Sequence, residues 1–227
     1  MLRKWEDLPE FMKCEEVRKY YDILKRKKVQ LRIKRTCDVL GAGVLLVLLA
    51  FPMVLIAAAI KADSPGPVFF RQERITVYGR KFRIHKFRTM ISDADQKGPE
   101  VTVRNDGRIT RVGSRLRELR LDELPQLLDI LAGNMSFVGT RPEAVKYVKK
   151  YTKEMRATLL LPAGITSEAS IRYRDEAGLL EQAEDVDEIY LKKILPKKMK
   201  YNLTEIRNFS LWEDLCILVK TALAVWG

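Results

Sequence analysis

The chain has 227 residues, 47% of them hydrophobic and 32% charged, with a formal net charge of +12. That length supports one domain with a core of its own, and the composition argues against a disordered chain. The positive excess asks for an anionic partner: nucleic acid, an anionic membrane surface or phosphorylated substrates.

Residues 1–33 alternate charge with large apolar groups, among them Trp5, Leu8, Phe11, Met12, Val17, Tyr20, Tyr21 and Leu24. This pattern predicts short amphipathic helices on a membrane surface, with packing on a soluble core as the alternative. The run from Val39 to Ile60 carries no charge. As one straight helix it would be about 33 Å long, enough for a hydrocarbon core of about 30 Å. It starts well inside the chain and lacks a small-residue cleavage site, so it does not read as a signal peptide. Pro52 interrupts its helical hydrogen bonding. Both flanks are basic: Lys25 to Lys28, Arg32, Lys34 and Arg35 precede it, and Lys61, Arg71, Arg74, Arg80 and Lys81 follow. Positive charge marks the cytoplasmic side. Two cytoplasmic ends require a segment that enters and returns, bent near Pro52. An ordinary kinked span is the alternative. Asp38 is costly in lipid unless paired, and Arg35 lies three residues earlier on the helix as a partner.

Asp63 to Pro67 reads as a turn. Val68 to Gln72 and Lys81 to Phe87 read as two strands about a turn at Tyr78-Gly79. His85, the only histidine, sits in the second strand, where a structural role is expected. Ser92 to Gly98 hints at a calcium loop, but Arg104 stands where the bidentate Glu belongs, so it reads as a polar loop. Arg104, Arg108, Arg111, Arg115, Arg117 and Arg120 follow, with Arg108, Arg111 and Arg115 at helical spacing. No aromatic residues are interleaved there, which turns the reading from nucleic acid towards phosphate.

The arginines lead into Leu121-Asp122-Glu123-Leu124-Pro125-Gln126. Proline is tolerated in the first turn of a helix, Leu124, Leu127, Leu128 and Leu131 supply an apolar stripe, and Gly133 can end it. A helix starting near Asp122 is predicted, with Asp122 as its cap on the Leu124 N–H. The positive end of a helix keeps a carboxylate ionised and attracts phosphate. An ionised Asp beside a bound phosphate can attack phosphorus and form an acyl phosphate. Attack of anion on anion needs cations, for which Lys86, Arg88, Arg117, Arg120 and Arg141 are candidates, and Mg²⁺ would add more. A capping Asp beside a solvated Glu is the bland alternative. Further on, 143–160 reads as helix, Leu161 to Thr166 as loop and 179–195 as acidic helix. Leu211 to Gly227, with Trp212 and Trp226 near its ends, reads as an interfacial helix. Cys14, Cys37 and Cys216 form no CxxC pair and read as reduced thiols.

Together these motifs resemble the monotopic phosphoglycosyl transferases, the bacterial sugar transferases that initiate surface-glycan assembly. The resemblance rests on Lys34-Arg35-x-x-Asp38, on Ser64-Pro65-Gly66-Pro67-Val68-Phe69-Phe70-Arg71-Gln72-Glu73-Arg74 and on Lys86-Phe87-Arg88-Thr89-Met90. It continues with Leu121 to Gln126, Gly133 to Gly139 and Arg141-Pro142. It covers roughly residues 34–227, and the order and spacing of the motifs carry the specificity. It implies a re-entrant helix broken near Pro52 in the bacterial inner membrane, with all else on the cytoplasmic face. It implies that Asp122 attacks the β-phosphate of a UDP-sugar and expels UMP. Polyprenyl (undecaprenyl) phosphate then takes the phosphosugar, and Glu123 assists by accepting the lipid phosphate's proton. Mg²⁺ is the implied cofactor, with Asp122 as its candidate ligand. Departures at Gly139-Thr140-Arg141-Pro142, at Pro162 to Ser167 and at Thr76 bear on sugar and nucleotide specificity.

The expected fold is mostly α with a small β-hairpin, in three parts. These are an interfacial segment at 1–33, a re-entrant helix at 34–62 and a cytoplasmic catalytic domain at 63–227. Expected partners are the UDP-sugar, polyprenyl phosphate and anionic lipids, with no nucleic acid; a homodimer is left open. The competing reading is a non-enzymatic basic adaptor that binds anionic lipid or a glycan-assembly complex.

Overall fold

The computed structural model describes residues 2–92, 106–180 and 185–226. The polar stretch Asp93 to Gly98 and Arg104 lie outside them. The fold is mostly helical, with one small antiparallel hairpin and one long apolar helix.

Val17, Tyr20, Tyr21 and Leu24 recur at helical spacing and form the inward stripe of α1 (Glu15–Arg26). They are buried with Met12 against Tyr147, Tyr151, Leu160 and Leu203. Met12, Val17, Tyr20, Tyr21 and Leu24 therefore pack on the domain core, the alternative reading of this segment, while Phe11 stays exposed. Large aromatic and aliphatic side chains gain about 25 cal/mol for each Å² removed from water, and the core offers them full coverage.

α2 (Lys28–Asp63) is one continuous helix through Pro52, without the break that was expected there. Its outward face carries exposed Val47, Leu48, Phe51 and Val54. Its inward face rests on the rest of the domain at both ends. Before the apolar run, Lys34 Nζ lies 2.6 Å from Asp214 Oδ2. Arg35 donates to the carbonyls of Ile130 (2.7 Å) and Leu131 (3.1 Å). Asp38 accepts from the Phe137 N–H at 3.2 Å. Beyond Pro52, Met53, Ile56, Ala57 and Ile60 pack with Phe87 and Leu116. Asp63 accepts from the Val112 N–H at 2.9 Å. Arg35 and Asp38 thus do not pair with each other as expected. Each instead hydrogen-bonds main-chain groups of a neighbouring element, Arg35 at the C-terminal end of a helix and Asp38 at a strand.

β1 (Phe69–Ile75) and β2 (Lys81–Phe87) form the expected antiparallel hairpin, in register from Phe69↔Phe87 to Ile75↔Lys81. Tyr78 and Gly79 take positive φ at its turn, the conformation a tight hairpin demands. The His85 N–H donates to Asp129 Oδ2 at 2.8 Å, and its Nδ1 lies 2.9 Å from Asp129 Oδ1, so this histidine joins the hairpin to a buried carboxylate.

α3 (Arg111–Glu118) and α4 (Gln126–Leu131) flank the acidic pair. Arg108 precedes α3 and pairs with Asp106, so it is not part of a helical stripe with Arg111 and Arg115. β3 (Met135–Val138) pairs in parallel with β4 (Ala163–Thr166), where a loop was expected. The strands touch so closely that a Cβ on Gly164 would lie 2.2 Å from the Gly139 nitrogen. The expected helix at 143–160 divides into α5 (Val145–Val148) and a 3₁₀ turn at Met155–Leu160. α6 (Glu168–Arg172), α7 (Glu176–Leu180), α8 (Val186–Ile189) and a π turn at Tyr190–Ile194 lead into α9 (Leu195–Arg207). α10 (Leu211–Trp226) closes the described chain, with Trp212, Leu215, Val219 and Leu223 exposed.

Candidate active site

Arg120, two residues past the end of α3, has φ +57°, a left-handed conformation that costs an L-residue about 1 kcal/mol. The chain turns there into a 3₁₀ turn at Leu121–Glu123. Leu121 and Leu124 pack beside Ile60, Phe87 and Leu116, and this packing holds the turn against α2 and β2. The Leu124 N–H bonds the Leu121 carbonyl at 3.3 Å, so Asp122 does not cap it, and α4 starts only at Gln126. Of the expected stripe, Leu127 is buried and Leu128 and Leu131 are exposed, with Ile130 taking the inward place. Gly133 ends the helix as expected. At φ +76° its N–H bonds the Ile130 carbonyl (3.0 Å), and the Asn134 N–H bonds that of Asp129 (2.9 Å).

Asp122 and Glu123 are both buried. Lys86, on the last turn of the hairpin strand β2, reaches Glu123 Oε1 at 2.9 Å. Arg141 grips both oxygens of Glu123, with Nη1 3.3 Å from Oε2 and Nη2 on Oε1. The loop carrying Arg141 is tied to β4 by Gly139 N–H to Thr166 O and Gly164 N–H to Thr140 O, both at 2.9 Å. Asp122 is held differently. Its Oδ2 lies 4.0 Å from Lys86 Nζ, and it accepts no hydrogen bond from a described residue. Arg117 is steadied by its Nε–H bond to Thr89 Oγ1 at 2.8 Å and acts on Asp122 through its charge.

These surroundings drive the two carboxyls apart. Burial raises the Asp122 pKa; Lys86 opposes this, and the neighbouring charge of Glu123 adds to it. Burial also works upward on Glu123, but Arg141 and Lys86 outweigh it and hold this group well below the usual carboxylate range. Burial lowers the Lys86 and Arg117 pKa values, while Glu123 raises that of Arg141. Two carboxyls pushed in opposite directions take different roles. Asp122 is the more basic of the two, and Glu123 is a fixed anion that orients two cations.

The other candidate cations lie elsewhere. Arg88 is buried behind the hairpin and donates to Pro65 O (2.7 Å), Ser64 O (2.7 Å) and Ser64 Oγ (2.9 Å). It closes the C-terminal end of α2 and does not join the carboxylates. Arg120 donates to the Arg174 carbonyl at 2.9 Å. It stands at the rim of a cavity of about 520 Å³ that opens beside Glu123. Leu45 and Leu49 of α2, Leu124 and Leu127, Phe137, and Leu218 and Ala224 of α10 form most of its wall. Its charged end holds Glu123, Arg141, Arg120, Arg174, Glu176 and Lys198. Lys198 is buried and bonds Glu176 Oε2 at 2.7 Å and the Tyr190 hydroxyl at 3.2 Å. Asp122 does not line this cavity.

The model of the family described as bacterial sugar transferase matches residues 29–227. The chain belongs to that family. A UDP-N-acetylgalactosamine-undecaprenyl-phosphate N-acetylgalactosaminephosphotransferase of Aeromonas hydrophila is 36% identical over 83% of this chain and 42% of its own length. A UDP-glucose:undecaprenyl-phosphate glucose-1-phosphate transferase of Escherichia coli is 36% identical over 83% of this chain and 39% of its own. One of the same description from Caulobacter vibrioides is 40% identical over 87% of this chain and 71% of its own. The chain therefore spans about two fifths of the length of the first two relatives.

The described residues contain no cluster of three His, Cys, Asp or Glu side chains suited to a metal ion. Mg²⁺ needs only one or two carboxylates when substrate phosphates complete its shell. Asp122, whose oxygens no described residue hydrogen-bonds, fits that requirement, whereas Glu123 is already taken up by Lys86 and Arg141. Arg174, Glu176, Lys198 and α10 contribute to the site without any local sequence signal. They lie more than 50 residues from the acidic pair and reach it only through the packing of α6, α7 and α9.

Proposed function

We propose that this sugar transferase moves a sugar 1-phosphate from a UDP-sugar to polyprenyl phosphate by way of an aspartyl intermediate. The observation that carries this reading is a pair of adjacent buried carboxyls in opposite electrostatic settings, under three cations. An Asp122 oxygen bonds to the β-phosphorus of the UDP-sugar while the bridging P–O bond breaks, and UMP departs. An oxygen of the lipid phosphate then bonds to the same phosphorus, and the Asp122 carboxylate is released. Raised basicity favours Asp122 as the attacking group. Lys86, Arg117 and Arg141 offset the charge that builds on the phosphoryl oxygens. Mg²⁺ held by Asp122 with the substrate phosphates would supply further charge neutralisation.

Glu123 has a different duty from the one its sequence suggested. A carboxylate held ionised by two cations is a poor proton acceptor. A phosphate monoester with a second pKa of about 6 is largely dianionic at pH 7 and needs no base. Glu123 instead positions Lys86 and Arg141.

The seating in the membrane follows from α2. Its two basic flanks are tied to one and the same body, through Lys34, Arg35 and Asp38 on one side and Asp63 and Arg88 on the other. A helix crossing a core of about 30 Å would part those flanks to opposite sides. This supports a helix whose two ends stay on one side of the membrane, with the catalytic domain on the cytoplasmic face of the inner membrane and α10 at the interface. A non-enzymatic adaptor would have no use for two buried carboxyls. Asp122→Asn should abolish UMP release from UDP-sugar in the presence of polyprenyl phosphate and Mg²⁺. Turnover at the wild-type rate in that variant would overturn the assignment.

A further inference from the structure

We propose that the cavity of about 520 Å³ beside Glu123 seats the phosphate-proximal isoprene units of the lipid acceptor, with the acceptor's phosphate at its Arg141 end. The proposal rests on the transferase reading above and adds where, and by which residues, the acceptor is recognised.

Three features single out this occupant. The first is the wall. Leu49, Leu127, Phe137 and Leu218 present hydrocarbon over most of the cavity, and a volume of this order suits a small-molecule ligand. A UDP-sugar bears hydrogen-bonding groups along its whole length and would leave them unmatched against such a surface. An isoprenoid chain has none to satisfy. The second feature is position. The wall is built by α2 and α10, whose outward faces expose Leu48 and Phe51, and Leu215 and Val219. A ligand dissolved in lipid reaches the cavity between these helices without crossing water. The third is polarity. The charged end lies at Arg141, so an anionic head and an apolar tail match the cavity in one orientation only. Glu123 lines the cavity and Asp122 does not, so the acceptor's phosphate arrives over Glu123 and its two cations.

The test uses the full chain in bilayer nanodiscs with a series of polyprenyl phosphates of increasing isoprene number. KM for the acceptor should fall with the first few isoprene units and then level off, because the cavity is finite. Leu218→Trp and Leu49→Trp, which fill it from either helix, should raise acceptor KM about tenfold, the effect of losing about two buried methylene groups. They should also move the levelling-off to fewer units, with KM for UDP-sugar shifting less. Exchange of labelled UMP into UDP-sugar, which needs no acceptor, reports whether each variant is folded. Leu218→Phe gives the same pattern at lower amplitude should a Trp variant fail that check. An acceptor KM within twofold of wild type in the folded variants would overturn the proposal. So would an equal rise in KM for UDP-sugar, which would assign the cavity to the nucleotide sugar, or a KM indifferent to isoprene number. Wild-type enzyme that neither exchanges UMP nor transfers to any acceptor would instead refute the transferase reading itself.

Discussion

Glu123→Gln separates a positioning carboxylate from a proton acceptor. In the native site Glu123 holds Lys86 at 2.9 Å and both terminal nitrogens of Arg141. Removing its charge leaves two cations facing each other across a neutral amide. Breaking a fully buried ion pair costs about 3–5 kcal/mol. The Lys86 and Arg141 side chains keep 23% and 31% of their exposure, so water offsets part of this, and about 2 kcal/mol of stability should be lost. The catalytic cost should be larger, because both cations serve the same phosphoryl group in each half of the reaction. Displacing such donors lowers kcat by about 10²–10³-fold. Two measurements are needed: exchange of labelled UMP into UDP-sugar for the first half, and transfer to polyprenyl phosphate for the whole. Both should fall together. The pH profile should move as well. Glu123 contributes to raising the Asp122 pKa, and the freed cations would lower it, so the acid limb of the exchange reaction should shift to lower pH. Exchange at the wild-type rate with transfer alone abolished would refute the positioning role and restore Glu123 as the acceptor's base.

Two further substitutions test the scaffold. Arg88→Met removes a donor from the Ser64 and Pro65 carbonyls at the end of α2, of which Pro65 keeps the Ser92 hydroxyl. At about 2 kcal/mol for the Ser64 carbonyl it orphans, it should lower the thermal midpoint by about 4–8 °C and leave KM for UDP-sugar within about twofold. Lost activity with an unchanged midpoint would return Arg88 to the substrate. Glu205, on α9, accepts from the Glu168 N–H at 2.7 Å, and burial pushes its pKa from 4.5 up to about 7, with Asp214 nearby adding to the rise. Its native form binds the proton more tightly than the unfolded chain does. That contribution to stability is complete below pH 4.5 and is lost as pH rises to about 7. Glu205→Gln should therefore be more stable than wild type at pH 8, by up to about 3 kcal/mol, and match it near pH 4, as read by thermal melts. A stability gap that does not vary with pH would show that Glu205 is not titrating there.

The hairpin was readable because its strands are rich in aromatic and β-branched residues and meet at Tyr-Gly. The apolar helix was readable from its hydropathy alone. Lys86, Arg117, Arg141 and the acidic pair were readable from ordered motifs, since those side chains converge on one spot. The β3–β4 pair was hidden because Gly139 and Gly164 are there to let backbones touch, which erases any alternating apolar pattern. The start of α4 was misplaced because nothing about an arginine announces the positive φ of Arg120. Arg88 and Arg35 were misread or half-read for one reason. A guanidinium satisfies a helix end as well as it satisfies phosphate, and sequence records only its charge. The N-terminal stripe was ambiguous in the same way, because a surface buried in protein and one buried in lipid have the same composition.

The double tether of α2 has a kinetic consequence. With Arg35 and Arg88 fastening its two ends to one body, the proposed seating leaves the helix no freedom to sink or rise independently of Asp122. The height of the reacting carboxylate above the acyl chains is then set by the protein, and a lipid phosphate already at that depth needs only to diffuse sideways. The search for one of the two substrates becomes a two-dimensional one. Its rate should follow the lipid's mole fraction in the membrane and be indifferent to the volume of the surrounding solution.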